Sequence, residues 1–364
     1  MNLLYLLLTF KINALINILS CILLAVILIE QLNQYIAMII LYNKLKVLFF
    51  YTQRYPQGTY SQNIVLSSVY FPLEKSKHES KSYIIWLTRF FRVINCKIIF
   101  YMPKKFYNMM YDNGVINYSS NRLHLVDFNF TYNGIFEIPI LQNLSNAYKK
   151  MHEIDKENDI HNPYLYAIWN SKIWFLREAS LIYPDYKFYF WIDSGCVRDP
   201  FFDNKFNKYG SLCNSTIDNE CNYLTFPKNN FVEDILDQSK YHPLEMCMFM
   251  VDRHKFVKYP KKKSKFNILE GIFFGTKEGV AKFYDAFWEV HNEWLRNNIF
   301  CGKDQDIYNF VIENYFKKIQ FYIFPLYQVS HRCNKWFAFL SAFSKENPFF
   351  IPNKIYHFSK YLKY

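Results

Sequence analysis

The sequence predicts an α/β protein with a mixed, mainly parallel sheet flanked by helices and preceded by one membrane-spanning helix. Three observations predict it. From Asn63 onward, short β-branched and aromatic runs alternate with helical patterns, as in a parallel sheet with crossover helices. The stretch Ile12–Ile29 is eighteen residues without a charge, enough to cross a bilayer as a helix. Of the 364 residues 51% are apolar and 21% aromatic, so a large core can be filled.

The elements follow in chain order. "NIVLSSVYF" (Asn63–Phe71) reads as a first strand closed by Pro72, and "SYIIWLTRFFRVI" places Ile84, Leu87, Thr88 and Phe91 at helical spacing. "KIIFYM" before Pro103 and "RLHLVDF" (Arg122–Phe128) read as two more strands. Asn162–Ile182 is the clearest helix: Pro163 stands in its first turn, and Leu165, Trp169, Ile173 and Leu176 form one apolar stripe. The strand "KFYFWI" follows and ends in Asp193. Further strands are expected at "MCMFMV" (Met246–Val251), "EGIFFG" (Glu270–Gly275), "QFYIFP" (Gln320–Pro325) and "KIYHF" (Lys354–Phe358). Val280, Phe283, Phe287, Val290 and Trp294 line another helix, and "DQDIYNFVIENYF" opens one more. No repeat or low-complexity linker divides the region, so one domain is expected over 62–364.

The N-terminal span lies between Lys11 and Glu30. It is long for a signal peptide, and no small-x-small cleavage site follows it. The expected order is a short cytosolic tail at 1–11, a signal anchor at 12–29 and a stem at 30–61. The second apolar stretch, Tyr35–Tyr51, carries Lys44 and Lys46 and fits an amphipathic stem. Flanking charge is too sparse to orient the span by the positive-inside rule.

The formal net charge is +12, which suits phosphate-bearing substrates, anionic headgroups or nucleic acid. No zinc finger, helix-turn-helix or RNP signature accompanies it, so a nucleic-acid partner is not expected. "PKKKSKF" (Pro260–Phe266) reads as a solvated loop. Among eight cysteines there is no C-x-x-C pair; Cys213 and Cys221 are spaced for a small disulfide loop. Sequons at Asn117, Asn129, Asn143 and Asn214 fit a luminal domain. There is no P-loop and no G-x-S-x-G elbow.

The candidate chemistry centres on Asp193. Ligands of open α/β sheets bind beyond the carboxyl ends of strands, and a carboxylate there can ligate Mg²⁺ or Mn²⁺. An ordinary turn aspartate is the alternative. Lys77 follows the first strand, where a nucleotide would dock, and either a phosphate contact or a solvated loop charge accounts for it. Lys172 and Arg177 lie on the helix before Asp193, and either a phosphate contact or a solvated face accounts for them. Asp304 and Gln305 open a helix, where a carboxylate also caps free N–H groups. The small residues of "EGIFFG" allow close approach to backbone.

These blocks carry a resemblance. "NSKIWFLREASLIYPDYKFYFWIDSGCVRD" (Asn170–Asp199) resembles the block of GT-A glycosyltransferases that leads into their metal-binding D-x-D motif. With "NILEGIFFGT" (Asn267–Thr276) and "GKDQDIYNFV" (Gly302–Val311), it is most similar to the bacterial HtrL/YibB-like glycosyltransferase family. The likeness extends loosely back to Ser67–Leu87 and covers most of 63–312. It implies a GT-A-like (Rossmann-like) fold, a nucleotide-diphosphate-sugar donor and a hexosyltransferase activity on a glycan or glycoprotein hydroxyl. Together with the anchor at 12–29 and the sequons, the expectation is a type II membrane protein of the Golgi or ER with a luminal catalytic domain.

Residue by residue, Asp193 matches the first aspartate of D-x-D, which would contact the metal or the ribose. Gly195 replaces the second. Three outcomes follow: a distant ligand completes the Mn²⁺ or Mg²⁺ site, Arg198 or lysines neutralise the diphosphate without metal, or the site is inactive. "KIYHFSKY" resembles the "HF" element by which glycogenin-like transferases supply a metal-binding histidine, and His357 matches it. Glu270 and Asp304 are the acids that would orient sugar hydroxyls or act as base, with Lys77, Lys172, Arg177, Arg198 and Gln305 toward the donor. An inverting route needs such a base; a retaining one does not place it the same way. The alternative is a catalytically degenerate, membrane-anchored glycan- or protein-binding module.

Overall fold

Strand β4 (Phe188–Ile192) shows how the sheet is built. In the computed structural model all five of its residues are buried. Phe188, Phe190 and Ile192 pack on one side of the sheet, Tyr189 and Trp191 on the other. Period-two alternation with both faces apolar is the mark of a strand covered by helices on each side. The structure describes residues 30–31, 61–73, 78, 80–113, 116, 124–197, 226–227, 244–252, 267–325 and 356–357.

The sheet order is β3-β2-β1-β4-β6-β5-β7-β8. Its strands are β1 (Ser61–Val69), β2 (Cys96–Tyr101), β3 (Val126–Asn129), β4, β5 (Met246–Asp252), β6 (Asn267–Gly275), β7 (Phe321–Pro325) and β8 (Tyr356–His357). β1 pairs in parallel with β2 and β4, β2 with β3, and β5 with β7. β6 runs antiparallel to both β4 and β5, and β8 antiparallel to β7. The expected mixed, mainly parallel sheet is therefore present, with its antiparallel part around β6.

Helices α1 (Ser80–Val93) and α2 (Lys104–Asp112) cover one face, where Leu87, Phe90, Phe91, Phe106 and Met110 are buried. The opposite face is covered by α3 (Ser145–Ile154), α4 (Pro163–Ile182), α5 (Lys277–Arg296) and α6 (Asp304–Tyr315). Helix α4 starts as its sequence indicates: Pro163 occupies the first turn, and Asn162 Oδ1 accepts from the Leu165 amide at 2.9 Å. Thr276 caps α5 in the same way through Gly279 N–H.

The sequence expectations need three corrections here. Of the described part of the predicted Arg122–Phe128 run, His124 and Leu125 form a helical turn and the strand runs Val126–Asn129, one residue past the predicted end. α2 and α3 were not expected, since both are short and rich in polar residues. The strand beginning at Glu270 starts three residues earlier, at Asn267.

The chain divides into two compact units, Met1–Pro56 and Gln57–Tyr364. In the first, only Glu30 and Gln31 are described, both helical. The expected anchor at 12–29 and most of the stem lie outside the described residues. Among the described residues no helix is long and apolar enough to cross a membrane. Cys213, Cys221, Asn117, Asn214 and the 260–266 basic run also lie outside them.

Candidate active site

At β1 the sheet changes direction of growth: β2 and β3 add on one side, β4 on the other. Such a switch point opens a crevice at the strands' carboxyl ends. Here the ends of β1 and β4 are laced together. Ser68 Oγ donates to the Ile192 carbonyl at 2.6 Å, and Ser194 Oγ to the Val69 carbonyl at 2.7 Å. The chain then turns, with Cys196 N–H on the Asp193 carbonyl at 3.0 Å.

Asp193 leaves β4 on the face of Tyr189 and Trp191, toward α4. Lys172 waits there, 1% exposed, on the inner side of α4. Its Nζ lies 3.3 Å from Asp193 Oδ1, 3.4 Å from Asp193 Oδ2 and 3.1 Å from Asp304 Oδ2, and it donates to the Glu270 carbonyl at 3.2 Å. The Trp191 indole N–H donates to Asp193 Oδ1 at 2.8 Å. Asp193 is the outward member of the group, with 42% of its side chain exposed, whereas Asp304 is 2% exposed.

Each partner is placed by a local device. Phe273 pairs with Met248 and Leu269 with Phe249, so Glu270, Gly271 and Ile272 bulge out of the β5–β6 ladder. The bulge turns the Glu270 carbonyl onto Lys172 and the Gly271 carbonyl onto the Asp193 amide, 2.9 Å away. Asp304 is fixed by the chain before α6. Asn170 of α4 donates to the Cys301 carbonyl at 2.9 Å, and Gln305 Nε2 donates to the Ile268 carbonyl at 2.6 Å.

Three carboxylates around one ammonium leave an excess of negative charge. Burial alone would strip the Lys172 proton, but Asp193, Asp304 and Glu270 outweigh it and hold the amine well above its ordinary range. Burial pushes the Asp304 carboxyl up to about 7, against the pull of Lys172, with Glu270 and Asp193 adding to the rise. Glu270 is raised for the same reason, and its Oε2 is enclosed without a hydrogen-bond partner. The site thus combines an enclosed cation, the outward Asp193 and two acids whose proton affinity burial has raised, which suits hydroxyl recognition and proton transfer.

Asp193, Lys172, Glu270 and Asp304 are brought together. Gln305 is beside them but serves the backbone. Arg177 is not with them: its guanidinium lies 4.5 Å from the centre of the Tyr284 ring on α5. Lys77, Arg198 and the His357 side chain lie outside the described residues. The His357 backbone, in β8, pairs with Tyr322 of β7, and β8 lies four strand places from β4.

Gly195 sits on the other side of the turn. A Cβ built there would lie 3.5 Å from both Tyr83 and Trp86 of α1. These rings form an edge-packed group with His78, at centroid separations of 5.1 Å (Tyr83–Trp86) and 5.0 Å (His78–Trp86). Position 195 therefore faces an aromatic wall rather than Lys172. The close approach expected at "EGIFFG" is to protein: a Cβ on Gly275 would collide with the Glu245 carbonyl and Met246.

A second cluster was not legible in the sequence. Asp155, Glu157 and His161, in the α3–α4 connection, bring three ligand-capable atoms within 4.8 Å of one another, enough to hold a metal ion. Each is already engaged. Asp155 Oδ2 accepts from Tyr166 at 2.6 Å and contacts His161 Nδ1 at 2.8 Å, and Glu157 pairs with Lys303. These bonds brace the connection against the chain that leads into Asp304. No motif spacing announces the cluster.

No family model and no curated protein matches the chain. A solved glycosyltransferase involved in the glycosylation of the major capsid of PBCV-1 is similar at 13% identity, over 72% of this chain and 81% of that one, with a TM-score of 0.31. A likeness of that strength leaves the functional reading to the site's own geometry.

Proposed function

We propose that the chain is a glycosyltransferase that moves a sugar from a nucleotide-diphosphate-sugar to a hydroxyl of a glycan or glycoprotein. The observation that carries this reading is the Lys172-centred group of Asp193, Asp304 and Glu270 at the carboxyl end of β4, beside the β1–β4 switch point. In this reading the donor lies across that crevice. Asp193, the outward carboxylate, accepts from donor hydroxyls, and the Tyr83–Trp86 wall offers ring faces next to Gly195. Glu270 and Asp304, with raised proton affinity, stand as candidates to take the acceptor proton. The leaving diphosphate needs positive charge, for which Lys77 and Arg198 are candidates. The sequence blocks resembling the HtrL/YibB-like family support the same reading, and a membrane anchor at 12–29 with a luminal domain belongs to it.

Gly195 favours a second reading, a catalytically degenerate glycan- or protein-binding module. A donor screen on the full chain, purified in detergent, separates the two. Release of nucleoside diphosphate that depends on an acceptor supports the transferase. Glycan binding with no turnover of any donor supports the module.

A further inference from the structure

We infer that this site binds its phosphate-bearing ligand without a divalent metal at Asp193, the ammonium of Lys172 being the resident cation. The inference rests on the nucleotide-sugar reading. The GT-A resemblance implies Mn²⁺ or Mg²⁺ at Asp193, and the described residues do not fit one there.

Three observations carry this. Both oxygens of Asp193 are already served by cationic or N–H donors: Oδ1 by the Trp191 indole at 2.8 Å and Lys172 at 3.3 Å, Oδ2 by Lys172 at 3.4 Å. A divalent ion on either oxygen would sit close beside the enclosed Lys172 ammonium, and the two cations would repel. Second, the residue that would supply the paired carboxylate is Gly195, and its position faces Tyr83 and Trp86 across the turn from Lys172. Third, Lys172 is 1% exposed and tied to β4, the β6 bulge and α6 at once, so it is built in rather than recruited. Asp193 then acts as a fixed hydroxyl acceptor, held in place by Lys172 and the Trp191 indole instead of by an ion.

The test is Mn²⁺ titration of the full chain followed by electron paramagnetic resonance, with Mn²⁺ alone and with excess UDP or GDP. Wild type and Asp193→Asn are expected to bind Mn²⁺ alike in every arm. A Mn²⁺ site in the wild type that Asp193→Asn weakens about tenfold or more would overturn the inference. Gly195→Asp guards against an uninformative variant: a Cβ fits there at ordinary contact distance, so the variant is expected to fold and to gain no Mn²⁺ site. A new stoichiometric site in Gly195→Asp would show that Asp193 is open to a metal, against the inference. Calorimetry of UDP and GDP with chelator present keeps the two readings apart. Binding of neither nucleotide, with or without Mn²⁺, counts against the nucleotide-sugar reading alone, whereas binding that requires Mn²⁺ counts against the metal-free site.

Discussion

Lys172 and Asp304 form an ion pair at 3.1 Å with both side chains 2% exposed. One joins from the middle of α4, the other from the first turn of α6, and Asp193 meets them from the end of β4. A buried pair of this kind is a poor source of net stability but costly to break, because the survivor is left charged and unsolvated.

Removing the ammonium should show that cost. Lys172→Met leaves Asp304, Glu270 and Asp193 without their shared cation and should destabilise the folded chain by about 3–5 kcal/mol. Denaturant unfolding measures it. Lys172→Met combined with Asp304→Asn should recover part of the loss, since one uncompensated acid is removed. Two independent, additive losses would mean that the residues are not coupled.

The pH dependence has a definite sign. Asp304 has its proton affinity raised on folding, from 3.8 to about 7. The folded state therefore binds the proton more tightly than the unfolded chain does. The resulting stability is present in full below the ordinary carboxylate range and is lost as pH rises through about 7. Between about pH 4 and 7, wild-type stability should fall relative to Asp304→Asn, and Glu270, also raised, adds in the same direction. Parallel stability curves for wild type and variant would contradict this.

Two glycines separate a forbidden overlap from an ordinary contact. A Cβ on Gly279 would collide with the Glu245 carbonyl, whereas one on Gly195 meets Tyr83 and Trp86 at 3.5 Å. Gly279→Ala should cost about 1–3 kcal/mol by forcing backbone apart, and Gly195→Ala should stay within about 0.5 kcal/mol. Thermal or denaturant melts of the two variants check the contrast.

How much of this was legible depends on the residue. The strand ending in Asp193 was plain, because "KFYFWI" is apolar on both faces and stops abruptly. Lys172 and Arg177 looked equivalent in sequence. They are five positions apart, about 140° around a helix, so only one can face the sheet end. α4 is buried on nearly every side, and its periodicity could not say which. The bulge at Glu270–Ile272 has no local signature, since register is set by β5 and β4 rather than by "EGIFFG" itself. Gly195 read as a missing metal ligand. The turn after Asp193 shows that the position belongs to the α1 side. The bracing of Asp155 by Tyr166 and His161 depends on tertiary contacts and left no pattern to find.

The most direct measurement compares wild type with Asp193→Asn in acceptor-dependent release of nucleoside diphosphate, using whichever sugar donors the wild type accepts. The substitution is nearly isosteric and leaves Asp304 paired with Lys172, so the fold should persist. Turnover should fall by about a hundredfold or more, the scale expected when a preorganised polar contact to the reacting ligand is removed. Unchanged turnover of every accepted donor in a folded Asp193→Asn protein would contradict the placement of the donor site at the end of β4.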